Sequence, residues 1–534
     1  MTLTADATGT IAAGAGLRAG RARPPAALVA AALAGVALVL LPILYTVAQA
    51  GAVGPGDAVA LLFRPLVGAL FVNTLTLVVA TSAATAVIGV ATAWAIERTD
   101  LPGRTIWSVL MAAPLAVPPF ISSYAWVSIS NGLQDFAGAL LVVTFAYFPL
   151  VYLPVAAALR GLDPALEDTA RALGQSPWGC FRRVVLPQLR PALYGGVLLV
   201  ALDVSTEFGA FALLRFRTFT TELYAQYRIG LDGPETSLLA LVIVALCMAL
   251  LAAELRVRGR ARYARVGSGS RRAAAPIPLG AMRWPVLGLF ATLVAATVGV
   301  PVGMVLYWLL HHAQAATSPV APSLPALFDA TLNSIVYGLA GAACALAIAT
   351  PIAWLAVRYP GRWTALIERA AYLAQGAPGI VVALALIALA VQYVPPLYQS
   401  VPLLALAYAV LFLPLAIVGV RSALVQIPPR FEEVARSLGQ SGAGVALRVV
   451  LPLAASGIGA GAAMVFIFVS TELTATLLLA PTGARTLATE VWANTSSLAF
   501  AAAAPFAAAI LCLSFAFTWL FANRLGQADV SDRG

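Results

Sequence analysis

The stretch LEDTARALGQSPWGCFRRVVLP at residues 166–187 returns in the same chain as FEEVARSLGQSGAGVALRVVLP at residues 431–452. The two copies align without a gap at an offset of 265 residues, and the tetrapeptide VSTE follows each copy at that same offset. Other matched positions are Asn73, Trp94 and Pro118 with Asn333, Trp354 and Pro378, and Arg217, Thr218, Thr221 and Glu222 with Arg485, Thr486, Thr489 and Glu490. The sequence therefore predicts an internal duplication of one structural unit.

The composition excludes a soluble globular protein. Of the 534 residues, 61% are hydrophobic and 10% are charged, whereas an average soluble domain has about 25% charged residues. Because so few polar side chains cannot cover the surface of a folded chain, most of that surface must face lipid. We predict an all-α polytopic membrane protein.

Twelve apolar stretches are long enough to cross a membrane as helices, since one span needs about 20 apolar residues. Six of them fall in each half of the duplication. Because six is an even number, the two repeats run in the same direction through the membrane and are related by an axis along its normal. The predicted span centres are Val39, Ser82, Ala116, Thr144, Leu202, Ala245, Ala296, Ala345, Ala383, Val410, Phe466 and Leu511.

The basic residues predict the orientation of these spans, because such residues near span ends stay in the cytoplasm. All 32 basic residues are arginines, and the chain contains no lysine. With the N-terminus inside, 27 of the 32 arginines lie on the cytoplasmic side. Both termini are therefore predicted to be cytoplasmic. The five arginines left outside are Arg64, Arg215, Arg217, Arg228 and Arg485.

The duplication and the arginines together predict the domain boundaries. An arginine-rich segment separates the halves, and we interpret it as a solvated linker near anionic headgroups, with no nucleic-acid partner. The predicted segments are a cytoplasmic tail at 1–26, a first repeat at 27–256 with a core of about 67–256, a linker at 257–284, a second repeat at 285–523 with a core of about 330–523, and a cytoplasmic tail at 524–534.

Both copies of the repeated stretch lie on the cytoplasmic side in this topology. Each begins with a proline and two acidic residues, as in the first turn of a helix, and a glycine then ends that helix. A second short helix is expected to end at the proline where the next span begins. An identical loop length in both halves predicts a docking surface for a partner outside the membrane, although either copy alone resembles an ordinary connection. The loop residues are Glu167, Asp168, Ala170, Gly174 and Pro187, and Glu432, Glu433, Ala435, Gly439 and Pro452.

Three carboxylates fall inside predicted spans. Asp203 and Glu207 are four residues apart, which places them on one helical face. Glu472 is equivalent to Glu207, whereas Phe468 stands in place of Asp203. Because such charges are costly in a membrane, we predict that they line a route for a cation. Carboxylates satisfied by neighbouring hydroxyl or backbone groups are the alternative.

A charged pair is repeated on the outer side of the membrane. Arg217 and Glu222 in the first half match Arg485 and Glu490 in the second. These residues are candidates for docking a soluble donor protein, and ion pairs that only stabilise the loops explain them equally well.

The loop pattern Glu-acidic-x-Ala-x-x-x-Gly, followed by Leu-Pro, resembles the EAA loop of permease subunits of bacterial binding-protein-dependent ABC importers. The resemblance covers nearly the whole chain as two fused type I permease domains. It implies that each loop carries a coupling helix seated on one subunit of an ABC ATPase dimer. It also implies a periplasmic substrate-binding protein as partner and a place in the bacterial inner membrane. Thr169 and Val434 depart from the pattern, because the family usually has its first alanine there.

Three further segments are similar to the ferric-iron importer subfamily, with thiamine and polyamine permeases as relatives. They are RTDLPGR at 98–104, YLPVAAALRGLDPALED at 152–168 and FRTFTTELYAQYR at 216–228. This resemblance implies import of ferric iron, with thiamine, a polyamine or another small solute as the alternative.

The absence of lysine bears on the energy source. A P-loop needs a lysine at the phosphates, so this chain cannot supply a standard ATP site, and ATP and Mg²⁺ are expected on a partner chain. An ion-coupled secondary transporter is the rival interpretation, since it would explain the carboxylates in the spans. The chain has no HExxH or GxSxG motif and no clustered metal ligands, so we predict neither an enzyme nor a metal site.

Overall fold

The computed structural model describes residues 24–230, 233–260, 276–311 and 323–531. The N-terminal 23 residues and most of the predicted linker lie outside these ranges. The first repeat contains α1 (Ala26–Ala50), α2 (Pro55–Leu62), α3 (Pro65–Arg98), α4 (Arg104–Ala112), α5 (Pro119–Ile129), α6 (Phe136–Tyr147), α7 (Pro149–Gly161), α8 (Pro164–Ala172), α9 (Pro177–Cys180), α10 (Leu186–Thr206), α11 (Gly209–Leu213), α12 (Phe219–Arg228) and α13 (Pro234–Arg260).

The second repeat follows a similar order of helices. It contains α14 (Arg283–Val294), α15 (Val300–Leu310), α16 (Leu324–Arg358), α17 (Arg362–Tyr372), α18 (Gly379–Tyr393), α19 (Val401–Val425), α20 (Arg430–Ser437), α21 (Gly442–Val445), α22 (Leu451–Ser470), α23 (Thr474–Leu479), α24 (Leu487–Ser496) and α25 (Phe500–Ser531). The first span of this repeat is divided between two helices, and a single helix, α19, stands in place of α6 and α7. Across the described ranges the only β-type pairing is one bridge between Thr99 and Ile277, which confirms the all-α fold.

Nine continuous helical segments in the described ranges are long and apolar enough to cross a membrane. Two further spans, those predicted around Ala116 and Ala383, are each broken into a bent pair of helices. The segment around Leu511 lies in α25, in which Phe500–Ala516 form an apolar helix. The fold class is therefore confirmed, while the count of twelve stays a prediction.

The bends in the two broken spans have the same cause. The helix directions change by 89° before Pro119 and by 100° before Gly379. In each case the residue just before the second helix is a proline, Pro118 or Pro378, which has no N–H to continue the helix. The preceding residues, Val117 and Ala377, are extended, as steric contact with a following proline requires.

The first long helix of each repeat packs against the other repeat. α1 lies against α16 and α18, and α15 lies against α5. A Cβ added to Gly35 would be 2.9 Å from Cγ2 of Ile348 in α16, so glycine permits this close approach. Tyr45 of α1 also donates a hydrogen bond to the side chain of Gln392 at 3.3 Å. The two repeats are therefore interlocked.

Candidate functional site

The first helix of each repeated loop ends in the same turn. Gly174 has φ +80° and Gly439 has φ +82°, the left-handed region that glycine enters without steric cost. The N–H of Gln175 donates to the carbonyl of Ala170 at 3.1 Å, and the N–H of Gln440 donates to that of Ala435 at 3.0 Å. These bonds define a Schellman motif that closes α8 and α20.

The second part of each loop differs from the expectation of a short helix ending at proline. A π-helical turn follows α9 at Phe181–Val185 and follows α21 at Ala446–Val450, and the chain then continues into α10 or α22. Pro187 and Pro452 therefore lie in the first turn of the long helices. The wider turn accommodates a proline that has no N–H for the α-helical ladder.

The two acidic residues of each loop point to different surroundings. Glu167 and Glu432 are buried, whereas Asp168 and Glu433 are exposed. Arg98 at the end of α3 pairs with Glu167 at 2.8 Å, and the nitrogen Nε of Arg358 at the end of α16 lies 2.5 Å from Glu432. The buried glutamate thus binds its loop to a long helix of the same repeat.

The outer face of both loops exposes apolar side chains beside the exposed carboxylates. Leu173 and Leu438, at equivalent positions, are each 77% exposed. Ala170 and Ala435 are buried on the inner face. An amphipathic helix with an exposed leucine at its end is typical of a surface that a partner protein covers.

The carboxylates predicted within the spans lie where helices break. α10 ends at Thr206, so Glu207 is extended, with ψ 132°, and does not share a helical face with Asp203. One oxygen of Glu207 accepts from the N–H of Ala210 at 2.8 Å, and the other accepts from the Tyr147 hydroxyl at 2.9 Å. This arrangement corrects the expectation of two carboxylates on one continuous helix.

Glu472 repeats half of this arrangement. It follows the end of α22 and accepts from the N–H groups of Thr474 and Ala475 at 3.0 and 3.1 Å. Glu207 and Glu472 therefore both cap short helices, as the alternative interpretation of satisfied carboxylates requires. Asp203 differs, because within the described ranges its carboxylate has no hydrogen-bond donor or cationic partner.

The two capped breaks meet where the repeats face each other. A Cβ added to Gly209, two residues after Glu207, would lie 2.8 Å from Cδ2 of Leu473. The ring of Phe208 also contacts the ring of Trp492, with centroids 5.4 Å apart. The duplication thus brings equivalent breaks together at the interface between halves.

The predicted charged pairs form, one in each half. Arg217 lies 3.6 Å from Glu222, and Arg485 lies 3.6 Å from Glu490, with both arginines largely exposed. The hydroxyls of Thr218 and Thr486 belong to capping boxes at the start of α12 and α24. Hydrogen bonds also bind these turns to the long helices α3 and α16.

The matched asparagines of the two repeats lie near the other ends of the long helices. The side-chain amide of Asn73 in α3 donates to the backbone carbonyl of Arg217 at 3.0 Å. The amide of Asn333 in α16 donates to the carbonyl of Arg485 at the same distance. The charged turns are therefore bound to α3 and α16 by equivalent bonds.

Comparison with known proteins decides the family. The family described as "Binding-protein-dependent transport system inner membrane component" matches twice, at residues 87–256 and 341–523. The chain belongs to this family. The two matches confirm the duplication, and membership identifies the chain as a multi-pass inner-membrane permease of the ABC importer class. It also sets aside the ion-coupled secondary transporter.

Individual relatives support the same assignment. The permease is 34% identical over 475 residues to the Fe(3+)-transport system permease protein FbpB 2 of Haemophilus influenzae, which covers 89% of this chain and 93% of the relative. It is 26% identical over 482 residues to a probable ABC transporter permease of Sinorhizobium fredii, covering 80% and 83%. It is 30% identical over 234 residues to the sulfate permease CysT of Escherichia coli, covering 40% and 84%.

Sequence reasoning missed three residues of these sites. Arg98 and Arg358 are each other's equivalents at the offset of 260 that Asn73 and Asn333 also share. An arginine at the end of a long apolar stretch in both halves was therefore a usable signal. Tyr147 has no such signal, because its equivalent in the second half is Phe412.

Proposed function

We propose that this permease moves ferric iron into the cytoplasm, as the membrane subunit of an ATP-driven importer. The observation that supports ferric iron as the cargo is the 34% identity to a ferric-iron permease over almost the full length of both chains. The sulfate relative matches only 40% of this chain, so it supports the cargo class less. A periplasmic binding protein delivers the iron in this proposal.

The ATPase is proposed to dock on the two repeated loops. The exposed leucines and carboxylates of α8 and α20 support this role, because each loop presents an exposed apolar side chain close to an exposed carboxylate. ATP and Mg²⁺ bind the partner ATPase dimer, since this chain has no lysine for a P-loop. The loops, and with them both termini, lie on the cytoplasmic side.

The binding protein is proposed to dock at the opposite face, on the turns of Arg217 and Glu222 and of Arg485 and Glu490. Both arginines are largely exposed while their acidic partners are mostly buried. An exposed guanidinium held at a fixed place presents its donors to an acidic surface of a partner. The capping boxes and asparagine bonds support this role by fixing the turns.

The route for iron is proposed to pass the breaks at Glu207 and Glu472, with Asp203 beside them. Ferric iron is a hard cation that favours oxygen ligands over sulfur. Asp203 supports the assignment, because an unpaired carboxylate within a span is costly and is retained mainly for function. The two glutamates shape the route by holding the helix breaks.

Uptake in proteoliposomes tests the proposal. The permease is reconstituted with its partner ATPase and periplasmic binding protein, and uptake of radioactive ferric iron is measured with ATP inside. We expect iron uptake that requires the binding protein and stops when the P-loop lysine of the ATPase is replaced by alanine. Uptake of thiamine, a polyamine or sulfate in place of iron would contradict the cargo. Uptake without the ATPase would contradict the energy source.

A further inference from the structure

The buried ion pairs connect each ATPase-facing loop to one helix. Arg98 is the last residue of α3, and its side chain is 7% exposed. Arg358 is the last residue of α16, and its side chain is 9% exposed. Because both partners are removed from water, loss of either one leaves a buried charge unpaired, which is more costly than the loss of an exposed partner.

The helices that carry these arginines are long and continuous. α3 has 34 residues and α16 has 35, so each is about 50 Å long at 1.5 Å per residue. α3 packs against α7 and α10 of its own repeat, and α16 packs against α19 and α22. Each helix therefore reaches from one face of its repeat to the other as a continuous helix, and α16 does so with Pro351 inside it.

The far end of each helix is bound to the turn with the exposed arginine. Asn73 is in the third turn of α3, and its amide binds the carbonyl of Arg217. Asn333 is at the equivalent place in α16 and binds the carbonyl of Arg485. In the second repeat Ser334 adds a bond, since its hydroxyl oxygen accepts from the N–H of Leu487 at 2.9 Å.

We propose that α3 and α16 are the elements that transmit movement between the two faces, with Arg98–Glu167 and Arg358–Glu432 as the joints at the ATPase side. The inner glutamate of each loop is then a positioning residue, and the outer carboxylate, Asp168 or Glu433, is the one that faces the ATPase. This division of labour rests on the proposed function, because it assigns the joints within the same two docking loops.

The test measures movement at the far face when the ATPase binds nucleotide, and it needs no cargo. The permease in nanodiscs is mixed with the ATPase, with or without a non-hydrolysable ATP analogue, and amide hydrogen exchange is followed at residues 215–222 and 485–490. In the wild type we expect the analogue to change exchange in both turns. Arg98→Gln should abolish the change only at 215–222, and Arg358→Gln only at 485–490.

A neighbouring ion pair offers a matched control. Glu97, next to Arg98 on α3, pairs at 3.3 Å with Arg160 of α7 and so does not reach the loop. Glu97→Gln should keep the response of both turns. Exchanging the charges in Arg98→Glu with Glu167→Arg should restore the response at 215–222, which a general loss of packing would not allow.

A third variant keeps the test decisive if the single variants do not fold. Replacing both Arg98 and Glu167 with methionine removes the joint without leaving a buried charge unpaired. This variant should also lose the response at 215–222, and a normal response in it, or in the folded single variants, overturns the proposal. Loss at both turns from one variant also overturns it. If the wild type does not bind the nucleotide-loaded ATPase, the proposed function itself fails.

Discussion

The two repeats share their joints and turns but differ in the side chains around the helix breaks. Tyr147 and Asp203 of the first repeat correspond to Phe412 and Phe468 of the second at the offset of 265. The two phenylalanine rings contact each other, with centroids 6.0 Å apart, whereas Tyr147 donates to Glu207. One side of the interface is thus polar and the other aromatic, so the two repeats have diverged at the place that meets cargo in our proposal.

The loops also differ in what surrounds their shared frame. Glu432 has a second partner, Arg436, at 3.0 Å, and Arg358 also donates to the carbonyl of Ile427 at 3.1 Å. In the first repeat a different bond occurs, since the backbone N–H of Ile277 donates to the backbone carbonyl of Arg98 at 2.8 Å. Ile277, near the end of the linker, therefore supports the first joint, while Arg436 supports the second.

The largest expected effect comes from removing one partner of the buried ion pair at each joint. Removing one partner of a buried pair costs about 3–5 kcal/mol, so Arg98→Ala should lower the free energy of unfolding by an amount in that range. Arg358→Ala should cost less, because Glu432 keeps Arg436. Unfolding in mixed micelles on titration with SDS measures both. Equal losses would show that Arg436 adds nothing to the second joint.

The next effect concerns the faces of the two loops. Trp178 is 69% exposed and stacks on Phe181 with centroids 5.5 Å apart, whereas its equivalent in the second loop is Ala443. Exposed tryptophans at interfaces often contribute about 2 kcal/mol or more, so Trp178→Ala should weaken ATPase binding by roughly 30-fold or more. Binding by surface-attached permease measures this, with Trp363→Ala as the control at another exposed tryptophan. An unchanged affinity would place Trp178 outside the contact.

The third expected effect concerns Tyr147 of the first repeat, whose equivalent in the second repeat is Phe412. A hydrogen bond to a charged group contributes about 1.5–3 kcal/mol, so Tyr147→Phe should slow iron uptake by about tenfold or more. Phe412→Tyr places a hydroxyl at the same position of the other repeat and should leave uptake within about twofold, since no unpaired carboxylate lies beside it. Initial rates in proteoliposomes compare the two. Equal effects of the two variants would contradict a polar side confined to the first repeat.

The smallest expected effect concerns the glycine turns that occur in the loops of both repeats. Alanine at φ near +80° costs about 1 kcal/mol relative to glycine, so Gly174→Ala and Gly439→Ala should each destabilise the permease by that amount. Open space around both positions leaves backbone strain as the cause. The same SDS titration measures them, and Gly161→Ala, a glycine with open space and ordinary helical backbone, is the control. Clearly different losses at the two glycines would show that the loop turns are not equivalent.

Much of the architecture was predictable because it depends on sequence patterns that occur in both halves of the chain. The duplication, the membrane spans and the glycine turns follow from apolar length, offset and backbone preference. The breaks at Glu207 and Glu472 were not, because an apolar stretch with one or two carboxylates is expected to form a continuous helix. Whether a break forms depends on the backbone N–H groups that the glutamate caps in the folded chain.

The inward direction of Glu167 and Glu432 was also beyond the sequence. Two adjacent acidic residues in the first turn of a helix are equally favourable for the helix dipole. Only contact with Arg98 or Arg358, which are distant in sequence, distinguishes the inner carboxylate from the outer one. Comparing the two halves identifies Arg98 and Arg358 as equivalent arginines at helix ends, but it does not identify the residue that each one contacts.

The packing of α1 against the second repeat has a consequence for biosynthesis. The chain between Ala50 and Leu324 must be made before α16 exists, which takes roughly 15–55 s at a synthesis rate of about 5–20 residues per second. During that interval the face of α1 around Gly35 is covered by lipid alone. α13 of the first repeat can already pack against another face of α1, so the first repeat is inserted with one face of its first helix still awaiting protein contacts that are translated much later.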